Sequence, residues 1–162
     1  MRQQMLGPAL VVLALAGCAE SPPPQPPFSP VGDMKQTMNL VLDPAADVIW
    51  GSAGFILTAE GEQDLAPTTD EQWLAVKHSA AVVAESGNLL MLPGRAVDAA
   101  AWMEISGGLV EAGKRAMAAA DAKDADALFE AGGDIYRVCA GCHEIYMVDN
   151  EAAPKGEPPA AD

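Results

Sequence analysis

Apolar residues recur at steps of three and four along four stretches of this chain, which is the spacing of one face of an α-helix. The first stretch covers residues 33–57, and the second begins at residue 68 or 69 and ends before Pro93. The third starts near residue 98, and the fourth covers residues 125–147. Short polar connections join them, so the pattern predicts an all-α fold, an antiparallel four-helix bundle.

The residues expected to face the core share these helical steps. In chain order they are Met34, Met38, Val41, Ala45, Val48, Ser52 and Phe55; Trp73, Val76, Ala80, Val83, Gly87 and Leu90; Trp102, Ile105, Leu109, Ala112, Ala116 and Ala119; and Leu128, Ala131, Ile135, Val138, Cys142 and Ile145. The third helix contains three glycines, Gly107, Gly108 and Gly113. Glycine there allows a neighbouring helix or a flat cofactor to approach closely, or the helix simply tolerates the lower helix propensity.

Local signals refine the helix boundaries. Pro44 removes a backbone donor inside the first helix, so we expect a kink there, or a break with Asp43 capping a second segment. Thr69, with Gln72 three residues later, fits a capping box at the start of the second helix. Residues 58–67 are polar and contain glycine and proline, which predicts a loop.

Composition and charge limit the classes of partner that the protein could bind. The chain has 162 residues, the length of one ordinary domain, and 50% of them are hydrophobic while only 5% are aromatic. Its formal net charge is −14, which argues against nucleic acid as a partner because the sequence offers no basic stretch. The same charge serves either solubility or the docking of a cationic partner protein.

The N-terminus carries the signs of export. Arg2 precedes an apolar run over residues 6–15 that is too short for a comfortable membrane span. The run ends in Leu15-Ala16-Gly17-Cys18, which looks like a bacterial lipoprotein cleavage box, where the cysteine becomes the first mature residue and carries lipid. An ordinary signal peptide with a chance cysteine is the alternative. We expect a lipoprotein signal peptide over residues 1–17 and a lipid anchor at Cys18.

The likeness to bacterial lipoproteins also predicts the membrane location, and composition predicts the remaining domain boundaries. Ala19 stands where an aspartate would hold a lipoprotein at the inner membrane, so the resemblance implies a periplasm-facing protein at the outer rather than the inner membrane. Residues 18–31 are rich in proline and are predicted to form an extended tether that reaches roughly 40 Å. Residues 32–149 are predicted to be the folded domain, and residues 150–162 a disordered tail.

The chemistry concentrates in Cys139-Ala140-Gly141-Cys142-His143. Two cysteines three apart, followed at once by a histidine, form the attachment pattern for haem c, in which both thiols bind the porphyrin and the histidine ligates the iron. A thioredoxin-like dithiol would sit at the start of a helix after a strand. A zinc site would need further ligands, and His78, the only other histidine, lies off the apolar face of its helix. One covalent haem c accounts for these residues and for the export signal together.

Over residues 31–147 the chain resembles the class II, or cytochrome c-prime-like, family of c-type cytochromes. The specific part of the likeness is the motif near the C-terminus, supported by residues 34–38 and 88–95. The resemblance implies a four-helix bundle with covalently bound haem, often dimeric. It also implies that the first helix crosses the haem face opposite His143 and presents methionine or an apolar side chain there. Met38 is the expected second iron ligand, Met34 is the alternative, and a site in which neither binds iron stays open.

The expected function is one-electron transfer in the cell envelope by a haem with His143 and Met38 as ligands, together with a redox partner protein. If Met38 only covers the iron, the alternative is a five-coordinate protein that binds NO or CO. A haem-free bundle that acts as an interaction module is a third interpretation. The sequence shows no constellation of acid, base and nucleophile, so we do not predict an enzyme.

Overall fold

The computed structural model describes residues 29–147, and the helical unit within them begins at Val31. The chain is mostly helical and its helices pack on one another, in agreement with the predicted helical fold. The expected signal peptide, the lipid anchor at Cys18, most of the tether and the C-terminal tail lie outside the described residues. In chain order the elements are α1 (Met34–Thr37), a π-helix (Met38–Leu42), α2 (Asp43–Trp50), β1 (Phe55–Thr58), β2 (Gly61–Asp64), α3 (Asp70–Leu90), α4 (Ala101–Ala122) and α5 (Ala125–Tyr146).

The N-terminal helical segment, residues 34–50, combines α1, the π-helix and α2. A capping box between Asp33 and Gln36 starts it, with the Gln36 N–H donating to Asp33 Oδ1 at 2.7 Å. In the π-helix the Asp43 N–H donates to the carbonyl of Met38, five residues earlier. Pro44 then falls in the first turn of α2, where a missing N–H costs little. Of the two alternatives predicted for Pro44, the break capped by Asp43 is wrong, because α2 has no side-chain cap. The π-helical turn directly before α2 accommodates the proline.

The π-helix also changes which side of this segment is buried. A turn with one extra residue shifts the apolar face by one position, so Leu42 and Ile49 are buried together with Ala45 and Ala46. The predicted core positions Val41 and Val48 are instead 36% and 38% exposed. The prediction was wrong for these two residues because it assumed an uninterrupted α-helical period.

Residues 51–57 do not continue the first helix as predicted, and residues 58–67, predicted to form a loop, include the strand β2. The helix ends at Trp50, and β1 pairs antiparallel with β2, with Phe55 opposite Asp64 and Thr58 opposite Gly61. Gly54 and Gly61 adopt φ of +81° and +136°, conformations that favour glycine and turn the chain before and within the hairpin. Every strand residue is exposed, including Phe55 at 61%, so Phe55 is not the core residue that the sequence suggested.

Helices α3, α4 and α5 pack in sequence as antiparallel neighbours. Residues early in α3 lie near the end of α4, and residues late in α3 near its start, as the Lys77–Asp121 ion pair at 2.7 Å and the contact of Gly87 with Ser106 show. Thr69 and Gln72 form the predicted capping box of α3. Helix α4 starts at Ala101 rather than near residue 98, and the Asp98 carboxylate accepts from the Ala100 N–H just before the helix and from the Trp102 N–H in its first turn.

The core lies between these helices and the N-terminal helical segment. Trp73, Val83, Trp102 and Leu109 are buried as predicted, whereas Ile145 is 51% exposed and was wrongly expected to face inward. Two hydrogen bonds tie the helices together: Trp102 Nε1 donates to the Leu90 carbonyl at 2.8 Å, and Trp50 Nε1 donates to the Gly132 carbonyl at 3.0 Å. Within residues 29–147 no helix combines the length and the apolar character needed to cross a membrane.

The α3–α4 contact predicts opposite effects for two glycines of α4. A Cβ on Gly113 would lie 2.6 Å from the Ala84 backbone nitrogen, whereas a Cβ on Gly107 would meet nothing within 4 Å. Gly113→Ala should lower the free energy of unfolding by about 2 kcal/mol through overpacking. Gly107→Ala should raise it by about 0.5–1 kcal/mol through helix propensity. Urea unfolding followed by circular dichroism measures both changes, and equal effects would contradict the packing described.

Candidate functional site

An apolar cleft runs between the N-terminal helical segment and helices α3, α4 and α5. Its walls include Met38 of the π-helix, Leu90 of α3 and Leu109 of α4, while α5 contributes Cys139, Cys142 and His143. The cleft is narrow and opens to solvent, and its empty space, part of which is open solvent, amounts to about 310 Å³. Its walls are therefore close together, and a planar group as large as a porphyrin would have to part them.

Helix α5 carries the Cys-x-x-Cys-His motif on the side that faces the cleft. The helix begins with Asp124 as its cap, whose carboxylate accepts from the Ala127 N–H at 2.9 Å, and continues unbroken through the motif. Spacings of three and four residues bring Cys139, Cys142 and His143 to one side of a helix. The cysteines are half-buried, and His143 is exposed at the mouth of the cleft. This arrangement offers two thiols and one imidazole to a single bound group.

The surroundings of the two thiols disfavour the thiolate form. Burial raises the pKa of the Cys139 thiol, and the nearby Cys142 and Asp43 raise it further. Burial also raises the pKa of the Cys142 thiol. Both residues lie in the C-terminal half of α5, far from the positive N-terminal end of the helix dipole that would stabilise a thiolate. A thioredoxin-like dithiol requires the reverse, a thiol pKa lowered at a helix N-terminus, so the geometry speaks against that interpretation.

Met38 lies across the cleft from the motif. It is the first residue of the π-helix, is partly buried and packs against the core. Ile49, fully buried, and Trp50, bonded to the Gly132 carbonyl, fix the far end of the same segment on α5. The structure therefore brings together all four residues that the sequence proposed around one cofactor.

The alternative candidates do not line the cleft. Met34 is partly buried and packs against the core, but it is not among the cleft residues. His78 is exposed on α3, as expected for a solvated histidine. Within residues 29–147 no group of three or more His, Cys, Asp or Glu side chains is arranged to hold a metal ion.

Sequence reasoning missed a polar contact that braces the segment between α3 and α4 against α5. The Tyr146 hydroxyl donates to the Asp98 carboxylate, and the Tyr146 ring packs edge-on against Trp102 with centroids 4.9 Å apart. The hydrogen bond from Tyr146 lowers the pKa of Asp98, and the same bond raises the pKa of Tyr146 to about 12. The only sign in the sequence that Tyr146 belongs to the candidate site is its position one helical turn after His143.

The residues present fit a covalently bound haem by their chemistry. Two thiols for attachment, an imidazole for the iron and a thioether on the opposite wall line one apolar cleft. Comparison with protein-family models, with curated proteins and with solved structures finds no match to this chain.

The contact between Tyr146 and Asp98 predicts an unusual tyrosine titration. The ultraviolet absorbance difference between the parent protein and Tyr146→Phe should titrate with a midpoint near pH 12, because the neighbouring carboxylate disfavours the phenolate. Asp98→Asn, which removes the acceptor charge, should return that midpoint towards the ordinary tyrosine value of about 10. A midpoint near 10 in the parent protein would show that the contact does not form in solution.

Proposed function

We propose that this chain is a c-type cytochrome of the cell envelope that carries one electron at a time. The observation that carries the proposal is the single apolar cleft lined by Cys139, Cys142 and His143 on one side and by Met38 on the other. Spacing along the sequence suggested each residue separately, but only packing brings Met38 and the motif to the same cleft. No other part of residues 29–147 combines thiols, imidazole and thioether in this way.

The packing of the helices supports the class II interpretation of the fold. Helices α3, α4 and α5 follow one another as antiparallel neighbours, and the N-terminal helical segment lies along α5 with Trp50 near Gly132 and Met38 near Cys139. The segment therefore runs antiparallel to α5. We propose that these elements are the four helices of a class II bundle, with the hairpin of β1 and β2 inserted between the first and second.

The chain's own residues would hold the cofactor and set its environment. Cys139 and Cys142 would attach it, and His143 and Met38 would bind its iron. A haem in this site would supply a one-electron couple between ferric and ferrous iron. Leu42, Leu90 and the other apolar wall residues would lower the dielectric constant around it and would disfavour the more highly charged oxidised centre.

Electron transfer also fits the surface charge. The formal net charge of −14 would attract a cationic redox partner over long range at low salt. We further propose that lipid on Cys18 holds the protein at the periplasmic side of the outer membrane, and that residues 18–31 form the tether. The class resemblance adds a homodimer to the proposal.

The absorption spectrum of the purified, covalently matured protein tests the ligand set. A low-spin spectrum in both oxidation states, with the weak far-red band of a thioether bound to ferric iron, is expected. Met38→Ala should convert it to a high-spin spectrum that shifts on addition of CO, and should lower the reduction potential. Met34→Ala is the matched control, because Met34 lies one turn earlier and does not line the cleft, and its spectrum should match the parent's.

The remaining outcomes separate the competing functions. A parent protein that is high-spin and binds CO directly would favour the alternative, a five-coordinate protein that binds NO or CO. A low-spin spectrum that survives Met38→Ala would exclude Met38 as a ligand.

Attachment itself has a separate test. The mass of the mature protein should exceed that of the chain by one haem, and Cys139→Ser with Cys142→Ser should abolish this increase. A parent protein without covalent haem in a strain with working maturation would remove both haem functions and leave the haem-free interaction module.

A further inference from the structure

Arg95 carries buried hydrogen-bond donors that nothing in the described chain satisfies. It lies in the connection between α3 and α4, and its Nη2 donates to the Gly32 carbonyl at 3.1 Å. Its Nε and Nη1 are buried and have no hydrogen-bond partner within residues 29–147. A guanidinium is always charged and buried donors are normally satisfied, so these two groups indicate a missing acceptor.

The neighbouring carboxylates do not fill that role. Asp33 caps α1 through the Gln36 N–H, and Asp98 accepts from Tyr146 and from the start of α4. Among the described residues no carboxylate lies within ion-pair distance of Arg95. The other two arginines in this part of the chain differ, because Arg115 and Arg137 both pair with Asp134 at an exposed position.

Arg95 is not a wall residue of the candidate cleft, but the chain segments that it joins lead to the cleft. Its segment leaves α3 after Leu90, which lines the cleft, and returns at Asp98, which holds Tyr146 one turn beyond His143. Its partner Gly32 directly precedes the N-terminal helical segment that carries Met38. The unsatisfied donors thus lie between the chain segments that flank the two proposed iron ligands.

We propose that the Arg95 guanidinium binds a carboxylate side group of the haem. This inference rests on the proposed function. It adds the residue that orients the cofactor and neutralises one of its carboxylate charges. Haem carries two carboxylates at its edge, and a guanidinium forms short, strong hydrogen bonds with a carboxylate. Arg95 is therefore a binding and positioning residue, and it acts on the iron through the charge balance of the haem.

The test compares Arg95→Gln with Arg115→Gln in the covalently matured holoprotein. Each variant removes one positive charge, but Arg115 is exposed and paired with Asp134. Arg95→Gln should shift the redox equilibrium towards ferric iron by roughly tenfold, about 59 mV, because it leaves a carboxylate charge uncompensated beside a buried centre. This shift should persist at high salt, whereas any effect of Arg115→Gln should fade as salt screens the surface.

The resonance Raman bending band of the haem carboxylates reports the contact directly. Arg95→Gln should move this band and Arg115→Gln should not. Arg95→Lys keeps the charge but changes the donor geometry, so it should move the band while shifting the redox equilibrium less than Arg95→Gln does. If Arg95→Gln yields no holoprotein, the Raman comparison of Arg95→Lys with the parent decides.

Contrary outcomes are distinguishable from one another. Covalent haem with an unmoved carboxylate band in the Arg95 variants would overturn the assignment of Arg95 and leave the cytochrome function standing. A parent protein without covalent haem would overturn both. A parent redox equilibrium that depends on phosphate concentration, with the dependence lost in Arg95→Gln, would show that Arg95 binds an anion from solution and would overturn the haem carboxylate as its partner.

Discussion

The packing of the N-terminal helical segment along α5 is the contact on which the site depends. Ile49 is fully buried there, and Trp50 reaches the carbonyl of Gly132, where a Cβ would already approach the indole to 3.3 Å. This anchorage lies at one end of the segment, and Met38 lies at the other, across from Cys139. The segment also packs on α3 along α2 and the π-helix, so it is held between α3 and α5 with its thioether end at the cleft.

Small residues make the remaining helix contacts equally specific. Gly87 and Gly113 let α3 and α4 approach so closely that either helix would have to move to admit a methyl group. Trp102 fills the space at the start of α4 and donates to the carbonyl that ends α3.

The sequence predicted the elements with strong local signals and failed where a local exception intervened. The capping box of Thr69 and Gln72 and the buried stripes of α3 and α4 were predicted because their helical period is unbroken. Val41 and Val48 were assigned to the core wrongly, since one π-helical turn changes the period without leaving a mark in the apolar pattern. The hairpin was missed because its strands are exposed on both faces and so carry no alternation of burial.

The residues of the candidate site likewise fall into those that the sequence predicted and those that it did not. Cys139, Cys142 and His143 were recognised from spacing alone, and Met38 from the apolar stripe together with the family resemblance. Arg95, Asp98 and Tyr146 were not placed, because their partners are distant in sequence and depend on how the α3–α4 connection folds back. Contacts of this kind leave no periodic trace in a single sequence.

The π-helix has a consequence for how such a protein can diverge. One residue of an α-helix turns the chain by about 100°. The π-helical turn takes up one extra residue locally, so Met34 and Met38 before it and Ala45 and Ile49 after it all face the core. Losing one residue inside this turn would restore an α-helical turn and leave the methionine near the cleft. Gaining or losing a residue between the turn and Trp50 would instead rotate Met38 by about 100° relative to the indole that holds the segment on α5. Under the proposed function, the position of an insertion or deletion in this segment therefore decides whether the thioether still covers the iron.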